Sequence, residues 1–135
     1  MRKDTNQNFS ITNTTKGKLP SLPFAIMKDK ILGKNYDLSI AVVGDAKSKF
    51  LNNKFRGKNK PTNILSFPLT KNSGEIFLNL NVAKKEAPKF GTNFGAFTKY
   101  LVIHGLLHLK GMEHSSTMDK AERKWCKKFN VKIDL

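Results

Sequence analysis

The chain has 135 residues, 39% of them hydrophobic and ten of them phenylalanine, which suits one domain with a buried core (1–135) and excludes a disordered segment. Lysine and arginine total 25 against 10 acids, a formal charge of +15 that favours a polyanionic partner, nucleic acid or a membrane surface. A single cysteine, Cys126, excludes an intrachain disulfide, and no apolar run reaches transmembrane length.

The elements are read in chain order. Phe9–Thr14 alternates like an edge strand. Pro20 and Pro23 open a helix over Phe24–Leu32 that Gly33 ends. Leu38–Val43 is a buried strand, and Asp45 caps a helix from Ala46 to about Phe55 whose apolar side carries Phe50, Leu51 and Phe55. Gly57–Pro61 is a loop. Asn63–Phe67 is a strand stopped by Pro68, and Ser73-Gly74 turns into a further strand, Glu75–Leu80. A short helix is predicted over Val82–Lys89. The longest, Asn93–Leu109, is apolar almost all round and therefore buried. Ser116-Thr117-Met118-Asp119 resembles a capping box before a last helix to about Phe129, in which Cys126 reads as a packed structural thiol. The mixture predicts an α+β domain: a small mixed β-sheet packed against a central metal-bearing helix and several further helices.

All three histidines of the chain fall in the eleven residues His104–His114. His104 and His108 are four apart, about 40° and roughly 6 Å along a helix, so both rings leave one face. A continuous helix would carry His114 about 15 Å beyond His104, too far to share an ion. Gly111 stands where a left-handed helix-ending residue is needed to turn the chain back. Three imidazoles with an open fourth position are the usual form of a catalytic zinc site, so one Zn²⁺ per chain is expected, nickel and copper accepting the same ligands. The order matches the long zincin pattern H-E-x-x-H-x-x-G-x-x-H except that Gly105 replaces the glutamate base of the metalloproteases.

A second constellation lies upstream. No acid interrupts Ala46–Pro61, which carries Lys47, Lys49, Lys54, Arg56, Lys58 and Lys60. Arg56, at a helix end beside a glycine loop, suits bidentate phosphate contact. The last helix adds Lys120, Arg123, Lys124, Lys127 and Lys128 against Glu122 alone.

The segments Leu51-Asn52, Phe55-Arg56-Gly57-Lys58, Pro61-Thr62-Asn63-Ile64-Leu65-Ser66-Phe67-Pro68, Gly74-Glu75-Ile76 and His104–His114, in this order, resemble the YbeY family of bacterial endoribonucleases. The resemblance implies a zinc-dependent, single-strand-specific endoribonuclease acting in maturation of the 3′ end of small-subunit (16S) ribosomal RNA and in ribosome quality control. It implies RNA of the small ribosomal subunit as partner, a ribosomal protein and an assembly GTPase as further partners, and a cytoplasmic setting without a membrane. It places the metal ligands on His104, His108 and His114 and the motif arginine on Arg56. Two positions depart from the family's common residues: Asn63 replaces an aspartate after Pro-Thr, and Glu113 replaces an aspartate before the last histidine.

With those residues, the expected chemistry is phosphodiester cleavage, with catalytic roles for Arg56 and His108. Zinc generates hydroxide or polarises a phosphoryl oxygen, or the RNA 2′-OH attacks, and Arg56 stabilises the added charge. Glu113 and Ser66 are candidate hydrogen-bonding neighbours of the metal ligands, and Arg56, Lys58 and Lys60 are candidate RNA contacts. Two rivals stand beside this reading. One is a metalloprotease-like zinc hydrolase of a non-nucleic substrate, the other a non-catalytic ribosome-assembly binding protein with structural zinc.

Overall fold

The computed structural model describes residues 2–6, as backbone, and 8–135. Among the described residues five strands form one sheet: β1 (Arg2–Asn6), β2 (Phe9–Asn13), β3 (Asp37–Val42), β4 (Ile64–Thr70) and β5 (Ser73–Leu78). Their spatial order is β1-β2-β3-β5-β4. The outer pairs β1/β2 and β4/β5 are antiparallel, and β2/β3 and β3/β5 are parallel, so the sheet is mixed. Phe9–Asn13 is therefore not at the edge, as its alternation predicts, because Arg2–Asn6 pairs outside it.

The register puts Ile11, Ile40, Ile76 and Ser66 in one row across the sheet. Period-two alternation buries Leu38, Ile40 and Val42 of β3 and Gly74, Ile76 and Leu78 of β5 on the same face. Against that face stand α1 (Phe24–Leu32), α3 (Leu80–Glu86) and α4 (Phe94–Leu109), with α5 (Ser116–Lys128) packed on α4. The central α4 touches β4, α1, α3 and α5. Its sequence accounts for that position: with Phe97, Leu101, Val102, Ile103, Leu106 and Leu107 around most of its girth, the helix from Tyr100 on leaves water only the stripe of Tyr100, His104 and His108. The result is the α+β arrangement expected from the sequence, with the histidine helix at its centre.

The remaining α-helix, α2 (Asp45–Arg56), joins β3 to the loop before β4 and corrects two expectations. Its N-cap is Gly44, and Asp45 in the first turn accepts instead from Asn79 Nδ2 at 2.9 Å. Its buried residues are Ser48, Leu51 and Asn52, whereas Phe50 and Phe55 are 57% and 56% exposed. Hydrogen bonds hold the helix where apolar contacts were expected. Asn79 Nδ2 donates to Ser48 Oγ at 2.9 Å, the Thr62 amide donates to the same oxygen at 3.3 Å, and Asn52 Nδ2 donates to the Lys60 carbonyl at 2.9 Å. Pro68 lies inside β4 and does not end it. At the edge strand its missing N–H costs no ladder bond, and the register shifts just beyond it. Ser115, not Ser116, caps α5, its Oγ accepting from the Met118 amide at 3.2 Å. Cys126 is buried, and burial followed by the nearby Glu122 pushes its thiol up to about 11, which suits a structural thiol.

Candidate metal centre

Helix α4 carries His104 and His108 on one face, as a spacing of four requires. The helix ends at Leu109, and Gly111 at φ 100° turns the chain: its amide donates to the His108 carbonyl at 2.9 Å and the Met112 amide to the Leu107 carbonyl at 3.1 Å. The turn brings His114 back over the helix. Ring centroids are 4.5 Å apart for His104–His108, 4.9 Å for His108–His114 and 5.2 Å for His104–His114. One ligand nitrogen from each ring lies within 4.8 Å of the others.

The far side of each inner ring is occupied. His108 Nδ1 donates to the Met112 carbonyl at 3.0 Å, and His104 Nδ1 donates to a carboxylate oxygen of Glu122 on α5. A carbonyl and a carboxylate only accept, so each Nδ1 carries a proton, and in the neutral rings both Nε2 atoms present lone pairs. These two Nε2 atoms face each other at 3.1 Å, where two neutral rings repel and a shared cation, a proton or a metal ion, removes the repulsion. A tetrahedral zinc about 2.0–2.1 Å from each nitrogen needs nitrogens roughly 3.3 Å apart. The donor set therefore fits an imidazole-preferring divalent ion. Burial first, then the neighbouring His104 ring, lowers the proton affinity of His108 below the usual imidazole value, with the Met112 carbonyl opposing. That keeps the ring in the neutral form a metal ligand requires.

Gly105 explains the missing glutamate physically. A Cβ at this position would come within 2.9 Å of both Ile64 Cδ1 and Ser66 Oγ and 3.2 Å of Ile76 Cδ1. The helix rests directly on β4 and β5 here, and a protease base has no room.

The cluster opens onto a cleft of about 190 Å³ whose wall includes Arg56, Asn63, Ser66 and Tyr100. A second depression continues past His108 and His114, bounded by Arg56, Lys58, Pro68 and Glu113. Arg56, exposed at the last position of α2, borders both parts. Lys60 is exposed on the loop that follows, its carbonyl held by Asn52. Asn63, in place of the expected aspartate, donates Nδ2 to Glu86 Oε1 at 2.7 Å. Glu113 is exposed, and the carboxylate that bonds a histidine of the cluster is Glu122. The sequence signal for Glu122 is its place four residues from both Met118 and Cys126, which puts it on the apolar stripe of α5. Tyr100 was not anticipated either. Burial, then the Glu122 carboxylate, pushes its phenol up to about 12, so it stays a protonated donor in the cleft wall.

A family model described as Endoribonuclease YbeY matches residues 3–130. The chain belongs to the YbeY family. Among its relatives, the Endoribonuclease YbeY of Petrotoga mobilis is 32% identical over 109 residues, covering 78% of this chain and 76% of that protein. The protein of the same name from Pseudoalteromonas translucida is 37% identical over 118 residues, covering 77% and 76%. The chain spans 58% of the length of the Chelativorans sp. relative, at 37% identity over 94 residues, which cover 63% of this chain. The solution structure of TM1509 from Thermotoga maritima matches with a TM-score of 0.62 at 28% identity, covering 88% of each chain. These YbeY relatives carry the name of an RNA-cleaving hydrolase.

Proposed function

We propose that this chain is a zinc-dependent endoribonuclease that cuts single-stranded RNA, acting in the cytoplasm on the 3′ end of small-subunit ribosomal RNA and in ribosome quality control. The observation that carries the reading is the meeting of three imidazole nitrogens and one arginine in a single open cleft. A zinc ion held by His104, His108 and His114 would supply Lewis acidity at a phosphoryl oxygen and lower the pKa of a coordinated water.

The residues of the chain do the rest. Glu122 and the Met112 carbonyl fix the inner rings and their tautomers. The Arg56 guanidinium faces the phosphate and balances the charge that builds on it as the bond breaks. His108, kept neutral by burial, serves as ligand at the reacting centre. Tyr100 offers its phenolic proton as a hydrogen-bond donor from the wall. Ser66 and Glu113 line the same space, and Lys58 attracts the strand where it leaves the cleft. Lys60 extends that basic rim. Attack by water or by the RNA 2′-OH is compatible with the same arrangement.

The filled space at Gly105 speaks against a peptidase of the usual zincin type. A structural zinc site closes its fourth position with a protein ligand. Here His114 is exposed and the cluster faces a cleft, which favours catalysis. Among the described residues no helix is long and apolar enough to cross a membrane. A ribosomal protein and an assembly GTPase are the further partners that family membership brings into view. The test is cleavage of single-stranded RNA by protein stripped with a chelator and reloaded with zinc. Activity should vanish and return, and undiminished cutting by the stripped protein or by His104→Ala would refute the reading.

A further inference from the structure

Two phenylalanines of α2 stand largely in solvent. Phe50 and Phe55 are 57% and 56% exposed on a helix whose buried side is Ser48, Leu51 and Asn52. Each would add about 1.5–3 kcal/mol of stability if buried, so leaving two in water on one short helix calls for an occupant. Their surroundings are cationic. Lys47 Nζ lies 5.6 Å from the Phe50 ring centre, and Lys54 Nζ lies 5.9 Å from Phe50 and 5.4 Å from Phe55. Phe55 also packs on the sheet face turned away from α4: it is 5.0 Å from Phe67 of β4, and Phe67 is 5.7 Å from Phe77 of β5. The cleft begins one residue on from Phe55, at Arg56, while Phe67, alternating with Ser66 and Pro68 along β4, faces the other side of the sheet.

We propose that Phe50 and Phe55 form a stacking platform for unpaired bases of the RNA that flank the phosphate held at Arg56. This rests on the RNA-cleaving reading and adds to it the means by which single strands are chosen. Stacking rings alternating with ammonium groups are what a single strand needs: a π-face for each base and a cation for each phosphate. Every base has a π-face, so the platform tolerates any sequence. A base locked in a duplex cannot lie on a phenyl ring, so paired RNA is excluded. The uninterrupted positive charge of Ala46–Pro61 favours this occupant over a protein partner.

The test uses the zinc-loaded full chain. Binding of a labelled unstructured RNA and of the same sequence annealed into a duplex is followed by anisotropy, with KM and kcat for cleavage, in wild type, Phe50→Ala, Phe50→Leu and Phe50→Tyr. Loss of one stacking ring should weaken single-strand binding about 10-fold and raise KM by a similar factor. Duplex binding, bound zinc and kcat should be unmoved. Tyr should restore wild-type binding and Leu should not. The same series at Phe55, checked by thermal unfolding because its ring touches Phe67, should repeat the pattern. If wild type cuts single strands and Phe50→Ala binds them equally well, the platform is refuted and the nuclease reading stands. If Leu rescues as well as Tyr, the surface is merely apolar and the stacking claim falls. If wild type neither binds nor cuts any RNA, both readings fall together.

Discussion

His104 and His108 each have their outward nitrogen free and their inward nitrogen bonded, one to Glu122 and one to the Met112 carbonyl. Along α2 the arrangement is reversed. Its fixed contacts, Ser48 and Asn52, face inward, while Phe50, Phe55 and Arg56 stand in solvent. In the first region hydrogen bonds orient the two inner rings before any ligand arrives, as an ion demanding set distances requires. The second offers charge and ring faces on a firmly anchored helix, which suits a flexible polyanion. The contrast separates two tasks, holding the metal and gathering the strand, and mutations should separate them as well.

The largest effect is expected from His104→Ala. It should abolish zinc retention and cleavage together while leaving salt-sensitive RNA binding intact, as read by metal analysis beside anisotropy; loss of RNA binding too would show the two regions to be one. Arg56→Ala should make the opposite separation: zinc retained, cleavage lowered by about 10²–10³-fold, on the scale of removing one transition-state donor. Loss of metal in that variant would assign Arg56 a structural part. Glu122→Gln keeps an acceptor for His104 Nδ1 and removes its charge, so zinc affinity, measured by chelator competition, should fall about 10-fold or somewhat more. Gly105→Ala tests the close seat of α4 on the sheet. The added methyl meets Ile64 and Ser66 at 2.9 Å, and overpacking of this kind costs about 1–3 kcal/mol in denaturant unfolding. An unchanged midpoint would mean the helix can lift.

The histidines were legible because the site is local in sequence. Three ligands and their turn occupy eleven residues, and helical geometry alone brings them together. Glu122 was not, because it reaches His104 across a helix–helix contact eighteen positions away, which no local spacing encodes. The error at α2 has a different cause. The apolar pattern predicts Phe50, Leu51 and Phe55 on the buried side, and Leu51 is there, but Asn79, Thr62 and the Lys60 carbonyl give that side polar partners, so Ser48 and Asn52 turn inward and the phenylalanines outward. Phe9–Thr14 reads as an edge strand because nothing in Arg2–Asn6 announces a strand: that segment is polar and takes its form from pairing with β2.

The most direct measurement is a zinc titration of the stripped protein with cleavage of single-stranded RNA as the readout and metal content measured in parallel. The account predicts no cutting without metal and full activity at one zinc per chain, with His104→Ala inactive throughout. Full activity in the stripped protein, or a rise that continues past one equivalent, would contradict it.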